Sequence, residues 1–217
     1  RHPVPKLGGV AMAAAVLVGF AVGGVVPFLQ GIYADDAAMR GLLVAVAVVL
    51  VVGIADDMWD LRWWMKMAGQ VLAGLAVALG GIRIEAMPVG WIPVGNETTQ
   101  VILTVFAVVL TMNAINFVDG LDGLAAGVAL IGGSAFFVYS YLLTRTINQF
   151  DYANLATLLM ALLVGACVGF LPWNLAPARI FMGEVGAMLI GLLMAAAAVA
   201  VTADVNALDG MRSVSYT

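Results

Sequence analysis

Long apolar runs, broken by short polar connections, fill the chain from end to end. A bilayer-spanning helix needs about 20 mainly apolar residues. Seven stretches fit, at residues 9–29, 41–55, 64–81, 101–115, 124–143, 155–171 and 185–203. The second and fourth are short as strict apolar runs and are expected to extend into their polar flanks. Gly and Ala recur in all of them, as where helices pack closely in lipid. Residues 82–93 (IRIEAMPVGWIP) partly alternate and carry Gly and Pro, which predicts a short extended or hairpin element outside the bilayer. No repeat or low-complexity linker divides the chain. The pattern predicts an all-α polytopic membrane protein of about seven transmembrane helices, with residues 1–217 forming one domain.

Polar residues concentrate in the connections after the second, fourth and sixth runs: ADDMWDLRWW, NFVDGLDG and PWNLAPARIFMGEVG. Successive spans alternate in direction, so these three connections share one membrane face with the N-terminus. That face receives Asp56, Asp57, Asp60, Asp119, Asp122 and Glu184. Arg1, Lys6, Arg62, Lys66 and Arg179 fall there too, against Arg40, Arg83, Arg145 and Arg212 on the other. The excess of one favours a cytoplasmic acidic face.

Composition agrees. The chain is 64% hydrophobic and 10% charged, with mean hydropathy +1.07. Soluble domains average roughly 45–50% apolar and about 25% charged residues. One cysteine, Cys167, excludes a disulfide framework and sits in an apolar run. One histidine, His2, excludes a multi-histidine metal site within the chain. The chain starts at Arg1 rather than Met and stops at SVSYT, close after an apolar run. It is expected to be a fragment of a longer protein.

The acids invite chemistry. Asp56 and Asp57 end an apolar run, where adjacent carboxylates repel each other and the helix dipole is already negative. A divalent cation would relieve both costs. Hard oxygen ligands suit Mg²⁺, which commonly uses one or two carboxylates plus substrate phosphates. Asp119 and Asp122 lie three apart beside Gly120 and Gly123, a tight turn opening a helix whose free N–H groups attract anions. Asp122 could alternatively cap that helix. Glu184 begins the last run, where an acid is favourable in its own right. Arg179 suits a phosphate or a lipid headgroup. Phe181 suits a stacked base or the membrane interface. Lys6, beside Gly8 and Gly9, suits a phosphate. Trp59, Trp63 and Trp64 read as an aromatic belt.

Four motifs in order, PVPKLGG, DDMWD, NAINFVDGLDGLAAG and NLAPARIFMGEVG, resemble the polyprenyl-phosphate N-acetylhexosamine-1-phosphate transferases across nearly the whole chain. The family includes phospho-N-acetylmuramoyl-pentapeptide transferase. The resemblance implies that a polyprenyl phosphate attacks a UDP-N-acetylamino sugar and releases UMP, with Mg²⁺ (Mn²⁺ as an alternative) at a cytoplasmic site of a bacterial plasma membrane protein. It implies catalytic roles for Asp56, Asp57, Asp119 and Glu184, with Asp57 and Glu184 as metal ligands. Substrate binding falls to Lys6, Asn113, Asn116, Asp122, Asn174, Arg179 and Phe181. The implied partners are the nucleotide sugar, the lipid phosphate, the membrane and a second copy of the chain, and no nucleic acid. Glu184 stands where the family usually has aspartate, and the family's first helix and its histidine-rich loop are not in this sequence. NAINFVDGLDG and Asp60 resemble the UDP-GlcNAc branch more than the UDP-MurNAc-pentapeptide branch. An ion- or proton-coupled transporter is the competing reading, but its acids should lie near mid-membrane. A structural subunit of decayed catalytic ancestry is a third.

Overall fold

The computed structural model describes residues 5–86, 94–147 and 154–215; of residues 147 and 203–215 only the backbone is described. Every predicted apolar run is helical over most of its length. The helices are α1 (Gly8–Gly23), the single turn α2 (Gln30–Tyr33), α3 (Asp36–Trp59), α4 (Trp63–Leu79), α5 (Glu97–Val118), α6 (Leu124–Ile147), α7 (Leu155–Asn174) and α8 (Gly183–Ser215).

Five of these, α3 and α5 to α8, are long and apolar enough to span a membrane, or six when α1 and the bent segment after it count as one span. With the shorter apolar helix α4 they account for the seven expected runs. Run 64–81 forms the 17-residue α4, about 26 Å long at 1.5 Å per residue and at the lower end of the range of about 17–25 residues that crosses a bilayer. Run 9–29 does not continue straight: α1 stops at Gly23 and the chain turns by 93° through Pro27–Tyr33. The turn has a local cause. Pro27 starts a new 3-10 turn, and the Tyr33 hydroxyl donates to the Phe20 carbonyl, which also accepts from Gly24 N–H.

The second run grew at both ends, as expected. Asp35 caps α3 by accepting from Ala37 and Ala38 N–H, so the helix runs on to carry Asp56 and Asp57 in its last turn. Asp60 closes it in a left-handed conformation, φ 52°. The extended segment predicted for 82–93 is only partly within the described residues. Ile84 N–H donates to Thr104 Oγ1, Glu85 N–H to Thr202 Oγ1, and Val94 N–H to the Glu85 carbonyl; residues 87–93 lie outside.

Helix α8 is the central post. Its apolar stretch is 78% buried, against 22% for α5 and for α6, which belong to the rim. Helices α1, α3, α5 and α7 pack around it. Small residues permit the closest approaches. A Cβ on Gly9 would stand 2.2 Å from the Gly186 backbone nitrogen, so α1 and α8 cross there with no side chain between them. That crossing seats the N-terminal segment. Gly8 and Gly9 N–H donate to the carbonyls of Phe181 and Met182, and Phe181 N–H donates to the Pro5 carbonyl.

Candidate functional site

The helix ends on the acidic face enclose a cavity of about 360 Å³. The N-terminal segment supplies Lys6 to it, and the end of α3 supplies Asp57. The end of α5 and the next turn supply Asn116, Asp119, Gly120, Leu121 and Asp122. The α7–α8 connection supplies Asn174, Phe181, Gly183 and Glu184. The structure thus gathers residues that alternating spans assign to one face.

Asp57 stands over the start of α8. Its Oδ1 accepts from Glu184 N–H at 3.3 Å and lies 3.9 Å from Lys6 Nζ. Its Oδ2 is buried without a hydrogen-bond partner among the described residues. This position requires Gly183, which has φ +64°. A Cβ there would lie 2.5 Å from Asp57 Oδ2 and 2.9 Å from Oδ1. The glycine of FMGEVG therefore makes room for the carboxylate while providing the left-handed turn into α8.

Asp56 faces elsewhere. It is buried, with Oδ1 accepting from Leu61 N–H at 2.8 Å and Oδ2 2.7 Å from Lys66 Nζ. It does not line the main cavity. Lys66 also pairs with Glu184 Oε1 at 3.3 Å. Glu184 Oε2 accepts a short hydrogen bond from Asn116 Nδ2. Sequence reasoning counted Lys66 only as a charge on the acidic face and missed this bridge. The available signal was its position, beyond DDMWD and on the next helix.

Asp119 follows α5 directly. Burial, with the Glu184 and Asp57 carboxylates as further causes, pushes its carboxyl up to about 6. Asp122 is exposed, and its Oδ2 accepts from Ala178 N–H at 3.1 Å. The first turn of α6 is instead served by Asn174, whose Oδ1 accepts from Gly123 N–H at 3.0 Å. Asn174 Nδ2 donates to the Ile180 carbonyl, also at 3.0 Å. Asn174 and Asp122 thus tie loop 175–182 to turn 119–123, fixing the loop that carries Phe181.

Two expected substrate contacts lie off the main cavity. Arg179 is exposed and absent from its lining. Asn113 turns toward α4, donating to Gln70 Oε1 at 2.6 Å and to the Val109 carbonyl. It lines a smaller cavity of about 130 Å³ with Trp63, Lys66, Met67, Gln70, Asn116 and Glu184. One helix rotation explains the difference: three residues advance the chain by about 300°, so Asn113 and Asn116 are offset by about 60°. Further along the same two helices, an apolar furrow of about 350 Å³ runs past Val71, Leu75, Val101, Ile102, Val105, Phe106 and Val109.

Among the described residues no group of three or more His, Cys, Asp or Glu side chains is arranged to hold a metal ion by itself. The donor chemistry nevertheless suits Mg²⁺ completed by substrate phosphates. Asp57 offers a buried oxygen without a partner among the described residues, and Asp119 and Glu184 line the same cavity.

Residues 39–202 match the family model described as glycosyl transferase family 4. The chain is 39% identical over 202 residues to a decaprenyl-phosphate N-acetylglucosaminephosphotransferase of Mycobacterium leprae, covering 90% of this chain and 50% of the relative. It is 33% identical over 223 residues to a phospho-N-acetylmuramoyl-pentapeptide-transferase of Desulforudis audaxviator, covering 90% and 62%. It is 30% identical over 191 residues to a probable undecaprenyl-phosphate N-acetylglucosaminyl 1-phosphate transferase of Bacillus subtilis, covering 87% and 49%. The chain spans about half the length of the first and third of these. The match extends from α3 into α8, through three of the four motifs that line the cavity, and on it the chain belongs to glycosyl transferase family 4.

Proposed function

We propose that the protein transfers N-acetylglucosamine 1-phosphate from UDP-GlcNAc to a polyprenyl phosphate, releasing UMP, at the cytoplasmic face of a bacterial membrane. The observation that carries this reading is the cavity at the helix ends, which joins Lys6, Asp57, Asn116, Asp119, Phe181 and Glu184. The greater identity to the mycobacterial N-acetylglucosamine enzyme than to the pentapeptide transferase supports the sugar. A lipid substrate needs a site at the membrane surface, and acids at helix ends supply one. A transporter would need them mid-span.

In this reaction an oxygen of the lipid phosphate forms a bond to the sugar-bearing phosphorus. The bond from that phosphorus to the bridging oxygen breaks, and the electron pair leaves with UMP. The second pKa of a phosphate monoester is about 6, so the acceptor is largely a dianion at neutral pH and needs little help from a base. That fits an Asp56 whose two oxygens are both engaged. Lys6, largely exposed beside Asp57, supplies positive charge to the diphosphate. Phe181 presents a partly exposed ring for the uracil. Asn174 and Asp122 hold the loop that sets its angle. Asn116 and Asp119 face the sugar-diphosphate from the opposite wall.

Asp57 and Glu184 are the proposed ligands of Mg²⁺, with Mn²⁺ as substitute. The ion, when bound, would stabilise charge on the phosphates and on departing UMP. The apolar furrow between α4 and α5 suits the prenyl chain, with the phosphate beside Lys66. The decisive experiment is UMP release by protein in detergent with undecaprenyl phosphate. Mg²⁺-dependent release from UDP-GlcNAc is expected. Release only from UDP-MurNAc-pentapeptide would move the protein to the other branch, and release from no UDP-sugar would refute the enzyme reading.

A further inference from the structure

The two ion pairs of Lys66 are unequal. Nζ stands 2.7 Å from Asp56 Oδ2 and 3.3 Å from Glu184 Oε1. Asp56 is buried and tied through its other oxygen to Leu61 N–H, which fixes it in place. Glu184 is longer, with its side chain 22% exposed. The ammonium is thus anchored on Asp56 and shared with Glu184. It also lines the 130 Å³ cavity between α4 and α5, with Gln70, Asn113 and Asn116. That is the space of roughly four waters, enough for a phosphate group, and its polar lining is one cation, three amides and the Glu184 carboxylate. Beyond it the same helices form the apolar furrow. A phosphate joined to a hydrocarbon chain matches this succession of surfaces.

We propose that Lys66 is an exchangeable counter-cation: a prenyl phosphate entering between α4 and α5 draws it from Glu184 while Asp56 keeps hold of it, and the freed carboxylate becomes available to a divalent cation. The inference rests on the transferase reading for the identity of the lipid. Its physical basis is competition for one positive charge. A phosphate dianion carries more charge than a carboxylate that already shares its second oxygen with Asn116. While Glu184 is paired to an ammonium, a cation on that carboxylate would sit beside a like charge. Exchange removes the repulsion, so lipid and cation each favour the other's binding, and the coupling is reciprocal. An aspartate at 184 would be one methylene shorter and would lose reach toward Lys66.

The test is Mn²⁺ affinity, read from the EPR signal of free Mn²⁺, for the purified protein in detergent without nucleotide sugar. Farnesyl phosphate is the lipid probe and farnesol its phosphate-free control. Farnesyl phosphate is expected to tighten Mn²⁺ binding at least about fivefold, the lower end of usual coupling, and farnesol to leave it unchanged. Lys66→Met should bind Mn²⁺ tightly without lipid and respond to farnesyl phosphate by less than about twofold, with Lys66→Arg restoring the response. If Lys66→Met does not fold, Glu184→Gln answers the same question, because it removes the carboxylate that exchange would release. Three results overturn the proposal: no Mn²⁺ binding to the unaltered protein even with farnesyl phosphate, no tightening by farnesyl phosphate, or a lipid response that survives in either variant. Survival would mean that the lipid phosphate itself coordinates the ion. Coupling without UMP release refutes the transferase reading alone; UMP release without coupling refutes this proposal alone.

Discussion

Gly183→Ala tests whether the seat of Asp57 matters, because it adds one methyl group between that carboxylate and the start of α8. Two costs follow. Gly183 has φ +64°, and an L-residue in the left-handed region costs roughly 1–2 kcal/mol. The added Cβ would also lie 2.5 Å from Asp57 Oδ2, well inside van der Waals contact. The carboxylate must retreat by about 1 Å, and crowding of this kind costs about 1–3 kcal/mol. Its 3.3 Å bond from Glu184 N–H has no slack to absorb the move. A displacement of about 1 Å in a catalytic constellation can reduce turnover about 100-fold, and that is the loss expected in UMP release. Together the two costs come to about 2–5 kcal/mol, so thermal melting should fall by roughly 4–20 °C, at about 2–4 °C per kcal/mol for a chain of this size. Gly81→Ala is the control. Gly81 has φ +99° and open space around its missing Cβ, so that variant should lose stability through backbone strain and keep its turnover. A double-mutant cycle with Asp57→Ala gives a readout independent of activity, since truncating Asp57 removes the clash and should restore part of the lost melting temperature. Near-normal turnover in Gly183→Ala, or an equal loss in Gly81→Ala, would refute the reasoning.

Asp119 should leave a signature in the pH dependence of stability without divalent cations. Its folded carboxyl is raised to about 6 from an ordinary 3.8, so between those values the folded state holds more proton than the unfolded state. Stability from this group is therefore greatest at the acid end and falls as pH rises through that window. Asp119→Asn should flatten the slope of melting temperature against pH in EDTA, and an unchanged slope would disprove the assignment. Asn174→Ala strands Gly123 N–H and the Ile180 carbonyl, at roughly 1–3 kcal/mol for each group left buried and unpaired. It should lower the melting temperature and raise the KM for UDP-sugar more than it lowers kcat; wild-type KM would show that the brace does not position Phe181.

Much of this protein was legible from its sequence. Apolar runs near bilayer length fixed the helices, because hydrocarbon tolerates backbone polar groups only when they are paired internally. Alternation of direction then placed Asp57, Asp119 and Glu184 on one face whatever the packing, as a matter of counting. The bend after Gly23 was not foreseen in a run that reads as continuous, although Pro27, which starts the turn, stands in it. Tertiary structure alone decided which way each polar side chain turned. Asn113 and Asn116 look equivalent in NAIN, yet helix rotation turns one to Gln70 and the other to Glu184. Lys66 and Glu184 are 118 positions apart, and no local pattern could pair them. Nothing local in FMGEVG shows that Asp57 stands over Gly183. Periodicity and charge report each residue's own cost in lipid or water, whereas these pairings depend on how helices rotate and cross, which is set by close contacts such as Gly9 against Gly186.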